Sequence, residues 1–261
     1  MFYLKVEMWV PFIAIFLITF FLIWESFTPF FKPPKERTAH GVKNIVIASI
    51  NALVIVILFS GITLIVANYT EKNNFGFVHL FNLSEIQYSI LAFIIMDMWN
   101  YTWHRINHKI PFLWRFHKMH HSDPNMDVTT SVRFHFGEII ISSTLRLGVI
   151  FLIGIPIWTL IFYDTTLLIC TIFHHSNIQL PDKVDTLIRA IIVSPNMHKV
   201  HHSRIKIETD SNYSSFLTIW DRIFGSFRTK DDYGEINFGL DNYDGKDKQS
   251  LIGLIKTPLT K

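Results

Sequence analysis

Residues 139–173, IIISSTLRLGVIFLIGIPIWTLIFYDTTLLICTIF, decide how this chain folds. The run is longer than the roughly 20 apolar residues that one membrane crossing needs. Gly154-Ile155-Pro156 interrupts it near the middle, and proline has no N–H to donate and resists helix interiors. The stretch therefore reads as a helical hairpin whose arms, about 15 and 18 residues, are tilted, short or only partly inserted. A hairpin returns the chain to the side it left, so the segments flanking it share one face.

Those flanks are rich in histidine. Eleven of the 13 histidines fall between His104 and His202, and eight form three clusters: His104-x3-His108, His117-x2-His120-His121 and His198-x2-His201-His202. A shuffled chain of this content would hold roughly 0.03 HxxHH matches, so two matches indicate a metal site. Residues at i and i+3 or i+4 share a helix face, so each cluster can point two or three imidazoles one way, and three facing helices could surround two ions. Asp97, Tyr101, His104 and His108 repeat along one stripe. An acid at the end of an apolar run is expected to do work, here by orienting a ligand histidine. His40 and His79 stand alone in expected loops and receive no role.

Composition places this site in a membrane. Hydrophobic residues make up 49% of the 261, with 24 Phe and 7 Trp, and mean hydropathy is positive. Apolar stretches at 8–31, 45–66 and 86–103 read as spans. The first has Lys5 offset by Glu7 and no A-x-A cleavage pattern, so it is expected to be retained rather than cleaved as a signal. Lys32, Lys35, Arg37 and Lys43 mark the loop after it as cytoplasmic. The third span then delivers the first cluster to the cytoplasm, and the hairpin keeps the last cluster there. The expected fold is all-α: one integral membrane helical bundle over 1–261, with about four membrane-embedded elements, the last a hairpin, and a cytoplasmic histidine-rich helical cap. Residues 104–138 and 174–228 form the cytoplasmic metal-binding regions. Residues 229–261 form a polar, loop-like tail that packs over this cap or hangs from it, solvated.

Several classes are excluded or disfavoured. Cys170 is the single cysteine, so no intrachain disulfide or Cys-based zinc finger can form. A net charge of +3, spread along the chain, gives no nucleic-acid footprint. No HExxH supplies the glutamate of a zinc protease. The Glu and Glu-x-x-His arrangement of soluble di-iron bundles is absent. The surplus of histidines over the three or four that one zinc requires argues for two ions, and nitrogen-rich sites with open positions suit iron and oxygen chemistry. There is no G-x-G-x-x-G nucleotide fingerprint and no C-x-x-C-H haem attachment, so electrons are expected from a separate redox protein.

Trp103-His104-Arg105-Ile106-Asn107-His108, Leu113-Trp114-Arg115-Phe116-His117-Lys118-Met119-His120-His121-Ser122, Thr130 to His135, Phe173-His174-His175-Ser176-Asn177, Pro195 to His202, Asn212-Tyr213 and Trp220 to Gly225 together resemble the fatty acid hydroxylase/sterol desaturase family over close to half the chain. The resemblance implies two iron ions, with O2 as co-substrate and two electrons, hydroxylating or desaturating a bilayer lipid. It implies metal ligands at His104, His108, His117, His120, His121, His175, His198, His201 and His202. His174 is a further candidate ligand, but adjacent residues on a helix point about 100° apart, so it and His175 are not expected to bind the same ion with equal geometry. His135 is read either as a ligand or orienting group or as a cap. Arg133, Glu138, Asn177, Trp220 and Asp221 resemble the polar and aromatic surroundings of the site, and Asp97 joins them as an orienting candidate. Two residues depart from the pattern: Phe136 stands where proline is common and Ser214 where glycine follows Asn-Tyr, which bears on loop geometry. Phe112, Trp114 and Phe116 either line a lateral entry or anchor the interface. Ether-lipid cleavage, of the alkylglycerol monooxygenase type, is a further outcome within the family. A membrane haem electron carrier would show a haem spectrum, and a zinc hydrolase or metal-transport module would work without O2.

Overall fold

The computed structural model describes residues 2–260, with side chains from Trp9 onward. Lys5 and Glu7, the flanking charges of the first span, lie outside the described side chains. The regular secondary structure of the described residues is all helical, with no β-strand and only isolated bridges.

Helix α1, Phe2–Phe27, carries the first apolar run. It ends earlier than the 8–31 span expected, because Thr28 to Phe31 leave the helix to pair with the chain after α7: Phe30 donates to the Asn177 carbonyl at 2.8 Å and Gln179 to the Thr28 carbonyl at 2.9 Å. Helix α2, Arg37–Val54, continues through a π-helical stretch, Ile55–Ser60, into α3, Gly61–Lys72. This rod contains the 45–66 span and extends beyond it at both ends.

Helix α4, Glu85–Lys109, starts at a capping box between Ser84 and Gln87, the reciprocal arrangement that satisfies free amides at a helix start. Among the described residues four helical stretches are long and apolar enough to cross a membrane: Trp9–Phe27, Arg37–Leu80, Phe136–Ile153 and Ile157–His175. The expected third span is not among them. Gln87, Asp97 and Asn100 dilute its hydropathy, and the two hairpin arms count separately instead. Even so, α4 runs the length of the bundle. Near one end the Tyr88 hydroxyl donates to the Gly154 carbonyl at the hairpin turn, and at the other His104 meets His201.

The hairpin comprises α6, Phe136–Ile153, and α7, Ile157–His175. Gly154 ends α6 at φ 80°, a left-handed conformation that glycine adopts without cost to a Cβ, and Pro156 precedes α7. Between α4 and α6, α5 (Pro111–His121) opens with proline in its first turn, where the missing N–H is harmless. Short helices complete the histidine end: α8 (Asp182–Ile188), α9 (Pro195–His201), α10 (Lys206–Thr209) and α11 (Ile219–Ile223).

The apolar core lies at the hairpin-turn end, where Ala67, Val78, Ala92, Met96, Ile150 and Ile155 are buried together. The spans otherwise show apolar side chains outward. Only 11% of the α6 window is buried within the protein, a surface suited to lipid.

The 229–261 tail is not a hanging solvated end. It forms α12, Leu251–Ile255, and Leu254 is fully buried against Ile47 and Met119. Gln249 accepts from Arg133 at 2.9 Å and donates to the Ser122 carbonyl at 2.7 Å. His40 is likewise no loop residue. Because α2 begins at Arg37, His40 is buried inside it, with Nε2 at 2.8 Å from Asp123 Oδ2. His79 lies in a 3-10 turn, Phe77–Leu80, at 2.7 Å from the Tyr88 hydroxyl.

Candidate metal centre

Four helices bring their last turns together. His104 and His108 end α4, His117, His120 and His121 end α5, His174 and His175 end α7, and His198 and His201 lie on α9 with His202 just beyond. Helix C-termini carry partial negative charge and favour a cation. Nine imidazoles sort into two groups whose nitrogens lie within 4.8 Å of one another: His104, His108, His117, His121 and His201, and separately His120, His175, His198 and His202. His174 and His135 belong to neither.

Nitrogen-to-nitrogen distances are short. His104 Nε2 lies 3.0 Å from His201 Nε2, and His121 Nε2 lies 3.2 Å from His117 Nε2. In the second group His175 Nε2 lies 3.1 Å from His120 Nε2 and 3.0 Å from His198 Nε2, and His202 Nε2 is 3.2 Å from His198 Nε2. Two nitrogens on one ion at about 2.0–2.1 Å each are separated by roughly 3.0–3.4 Å, depending on coordination geometry.

The other ring nitrogens explain why these face inward. His104 Nδ1 donates to the Tyr213 carbonyl at 2.7 Å, His201 Nδ1 to the Ser211 carbonyl at 2.6 Å and His175 Nδ1 to the Thr171 carbonyl at 2.7 Å. His117 Nδ1 donates to Glu138 Oε1 at 2.9 Å. A neutral imidazole has one N–H, so donation from Nδ1 leaves Nε2 with a bare lone pair. Burial, then neighbouring imidazoles, hold the ring pKa values of His104, His108, His120, His121, His198 and His202 well below the ordinary value, and burial pushes His201 down to about 3. Lone pairs facing at 3.0 Å without protons repel. A cation between them converts that repulsion into bonding, so the donor set fits metal ions.

The remaining sequence candidates divide. Glu138 holds His117 directly. Asp221 accepts from the Tyr213 and Ser214 amides at 2.8 and 2.9 Å and from Ser226, which fixes the loop whose Tyr213 carbonyl orients His104. Asn212 in that loop carries the positive φ of 52°, so Ser214 is under no demand for glycine. Arg133 is fully buried and donates to the Met119 carbonyl at 3.2 Å and Ser122 Oγ at 3.1 Å, fixing the end of α5. Beside it, burial would raise the Asp123 carboxyl, but Arg133 and His40 hold it well below the usual carboxylate range.

Four candidates do not touch the histidine groups as expected. Asp97 accepts from the Trp220 indole at 2.7 Å and the Leu217 amide at 3.3 Å. It meets no histidine, because it lies two turns before His104, where α4 packs on the 217–226 segment; Trp220 is spent on the same contact. Asn177 exchanges two hydrogen bonds with the Phe31 backbone, at 2.9 and 2.7 Å, and thereby ties the exit of α1 to the end of α7. His135 caps α6: Nδ1 accepts from Gly137 at 2.9 Å and Nε2 donates to the Ile255 carbonyl at 3.0 Å, so both nitrogens are occupied. His174 is buried, with its ring 4.0 Å from that of His198. Of the aromatic trio, Trp114 packs on His108 at 5.0 Å, Phe116 on His135 at 5.4 Å, and Phe112 is exposed.

A cavity of about 310 Å³ opens from the histidines into the bundle, lined on α4 by Met96, Trp99 and Trp103, on α6 by Ser142 and Arg146, and on α7 by Leu167. His104, His117, His120, His175 and His198 form its wall at the metal end. The sequence missed Asn107 and Phe134 here. Asn107 follows His104 by three residues, the one signal that could have found it. Phe134 stacks on His120 at 4.3 Å and 13°, a contact across a loop with no local pattern.

A model of the fatty acid hydroxylase family matches residues 89–226. The ornithine lipid hydroxylase of Rhizobium tropici is 26% identical over 66% of this chain and 50% of its own length. The alkylglycerol monooxygenase of Danio rerio is 32% identical over 58% of this chain and 32% of its own, and human cholesterol 25-hydroxylase is 25% identical over 55% and 52%. The chain thus spans about half the length, or less, of the curated relatives it matches. No solved structure matches it. The match begins within α4, ends just past α11 and takes in every histidine of the two groups, over more than half the sequence: the chain belongs to the fatty acid hydroxylase family.

Proposed function

We propose that this protein is a multi-pass membrane oxidoreductase with a di-iron centre, using O2 and two electrons to hydroxylate or desaturate a lipid or sterol-like molecule, with ether-lipid cleavage the third outcome open to the same site. The observation that carries it is the pair His104 and His201: both Nδ1 protons go to backbone carbonyls, and the bare Nε2 atoms face each other at 3.0 Å. His104, His108, His117, His121 and His201 would hold one iron, and His120, His175, His198 and His202 the other. Iron in such nitrogen-rich sites with open positions supplies O2 activation.

The chain's own groups supply orientation and exclusion of water. Glu138 and the carbonyls of Tyr213, Ser211 and Thr171 keep each Nδ1 protonated and each Nε2 directed at an ion. Asp221 holds the Tyr213 loop, and Phe134 covers the His120 face. The cavity between α4, α6 and α7 admits a chain from the bilayer and holds one C–H bond beside the centre. The relatives' names, an ornithine lipid hydroxylase, an alkylglycerol monooxygenase and a cholesterol 25-hydroxylase, support a lipid substrate. Basic residues beside the apolar runs support a cytoplasmic histidine face, where a separate redox protein would deliver electrons.

Metal analysis and oxygen uptake on detergent-purified protein test this reading. The expected result is two irons per chain, with reductant-driven O2 uptake that requires lipid and yields an oxidised product by mass spectrometry. Haem absorbance, or hydrolytic turnover under argon with bound zinc, would overturn it.

A further inference from the structure

Two buried oxygens beside the first histidine group have no hydrogen-bond partner. Glu138 is 6% exposed and Asn107 1%. Glu138 Oε1 is used by His117 Nδ1 at 2.9 Å and approached by Asn107 Nδ2 at 3.5 Å. That leaves Glu138 Oε2 and Asn107 Oδ1, both buried and both unpartnered. Each residue belongs to the wall of the 310 Å³ cavity, next to His104 and His117.

Buried acceptors without donors are costly, on the order of 1–3 kcal/mol each and more for a charged group, and in folded proteins they ordinarily find partners. Here the two acceptors stand together, fixed through their other atoms. Further down the same wall, Ser142 and Arg146 follow Glu138 at i+4 and i+8 along α6, and Asn100 lies on α4 two turns before Asn107. Ser142 donates to the Ile139 carbonyl and Arg146 pairs with Asp164, so on a wall otherwise largely apolar it is Glu138 and Asn107 that keep unused acceptors beside the histidines.

We infer that Glu138 Oε2 and Asn107 Oδ1 form a substrate-recognition pair that accepts hydrogen bonds from a hydroxyl or ammonium group borne by the lipid, close to the carbon presented to the histidines. The substrate is then a lipid with a donor-bearing polar group near its reacting position, not a plain acyl chain. The inference rests on the lipid-oxygenase reading only for where the reacting carbon lies. Binding itself needs neither O2 nor turnover.

Binding to the purified full-length protein, with and without iron, tests it by quenching of tryptophan fluorescence, since Trp99 and Trp103 line the cavity. The probes are an alkylglycerol with free hydroxyls, its chain-matched dimethyl ether, which can only accept, and a chain-matched primary alkylamine. The alkylglycerol or the amine is expected to bind about tenfold tighter than the ether, and which of the two leads identifies the donor. Glu138→Gln, which still offers His117 an acceptor but turns the second oxygen into a donor, should abolish the preference. Asn107→Leu should abolish it too, and Asn107→Asp should retain it. Equal binding of ether and alkylglycerol and amine, or a preference unchanged in both Glu138→Gln and Asn107→Leu, would overturn the inference. A preference without any O2-dependent turnover would leave the pair standing and remove the oxygenase reading. Turnover without a preference would do the reverse.

Discussion

The two histidine groups are held in different ways. In the five-membered group, His104, His117 and His201 are each fixed through Nδ1, to the Tyr213 carbonyl, Glu138 and the Ser211 carbonyl. In the four-membered group only His175 is fixed so, to the Thr171 carbonyl, while His120, His198 and His202 have buried Nδ1 atoms without partners. Packing replaces hydrogen bonding there: His120 stacks on Phe134 at 4.3 Å, and His202 stacks on His121 of the other group at 4.5 Å. Preorganisation by hydrogen bonds sets both the tautomer and the ring direction, whereas stacking sets only the plane. The first group should therefore hold its metal more tightly and release it last.

The largest effect that can break this comparison is removal of a ligand from each group. His201→Ala and His198→Ala should each lower O2-dependent lipid conversion by at least about a hundredfold, a floor taken from the smaller cost of losing an outer partner. Both together should be little worse than either, because residues that act as a unit lose activity non-additively. Iron analysis separates them: each single variant should lose one iron selectively. Loss of both irons from His198→Ala alone would mean that the groups are not independent.

Removing the carboxylate that holds His117 acts one step out. Glu138→Ala should weaken metal binding in the five-membered group by about 10–100-fold, read by chelator competition, and leave the other ion's release unchanged. Unchanged release from the five-membered group would show that Glu138 does not orient its histidine.

These supports were unevenly legible. The three histidine clusters and the hairpin could be read directly, because ligand spacing and the Gly154-Ile155-Pro156 break are local patterns. Glu138 and Asp221 emerged only as polar neighbours, since their partners, His117 and the Tyr213 amide, lie across the fold. The Tyr213 and Ser211 carbonyls were invisible, because a backbone acceptor leaves no side-chain signature. Asp97 shared a helical stripe with His104, but such a stripe fixes a face and not a partner, and the partner is Trp220. The tail, read as packing over the cap or hanging from it, stays undecided in the sequence for a related reason. Its polar composition is that of a surface segment, yet Leu254 packs on Ile47 and Met119, Gln249 bonds Arg133, and the Ile255 and Thr260 carbonyls accept from His135 and Lys118.

Acid should expose the cost of keeping so many imidazoles neutral. Burial depresses the folded pKa values of His104, His108, His120, His121, His198 and His202, and that of His201 to about 3, against about 6.5 in the unfolded chain. The unfolded state then binds more protons at any pH between the two values, so stability is full above about 6.5 and falls as pH drops toward the folded values. The unfolding midpoint of metal-free protein should decrease steadily from about pH 7 to about pH 5. A flat profile would mean that the clusters accept protons when folded.

The smallest expected effect tests stacking itself. Phe134 lies nearly parallel to His120 and also forms part of the cavity wall. Phe134→Leu keeps apolar volume but removes the flat face, so His120 gains freedom to rotate while His175 and His198, held by their own contacts, do not. Metal release from the four-membered group should quicken a few-fold, in line with the roughly 0.5–1.5 kcal/mol that an aromatic pair contributes beyond its buried area. The five-membered group has no ligand against Phe134 except His117, whose Nδ1 bond to Glu138 sets its direction regardless. Its release rate should stay unchanged. Equal acceleration of both phases would show that Phe134 supports the cluster as one body, and that the two groups differ in how they are drawn together but not in how firmly they are held.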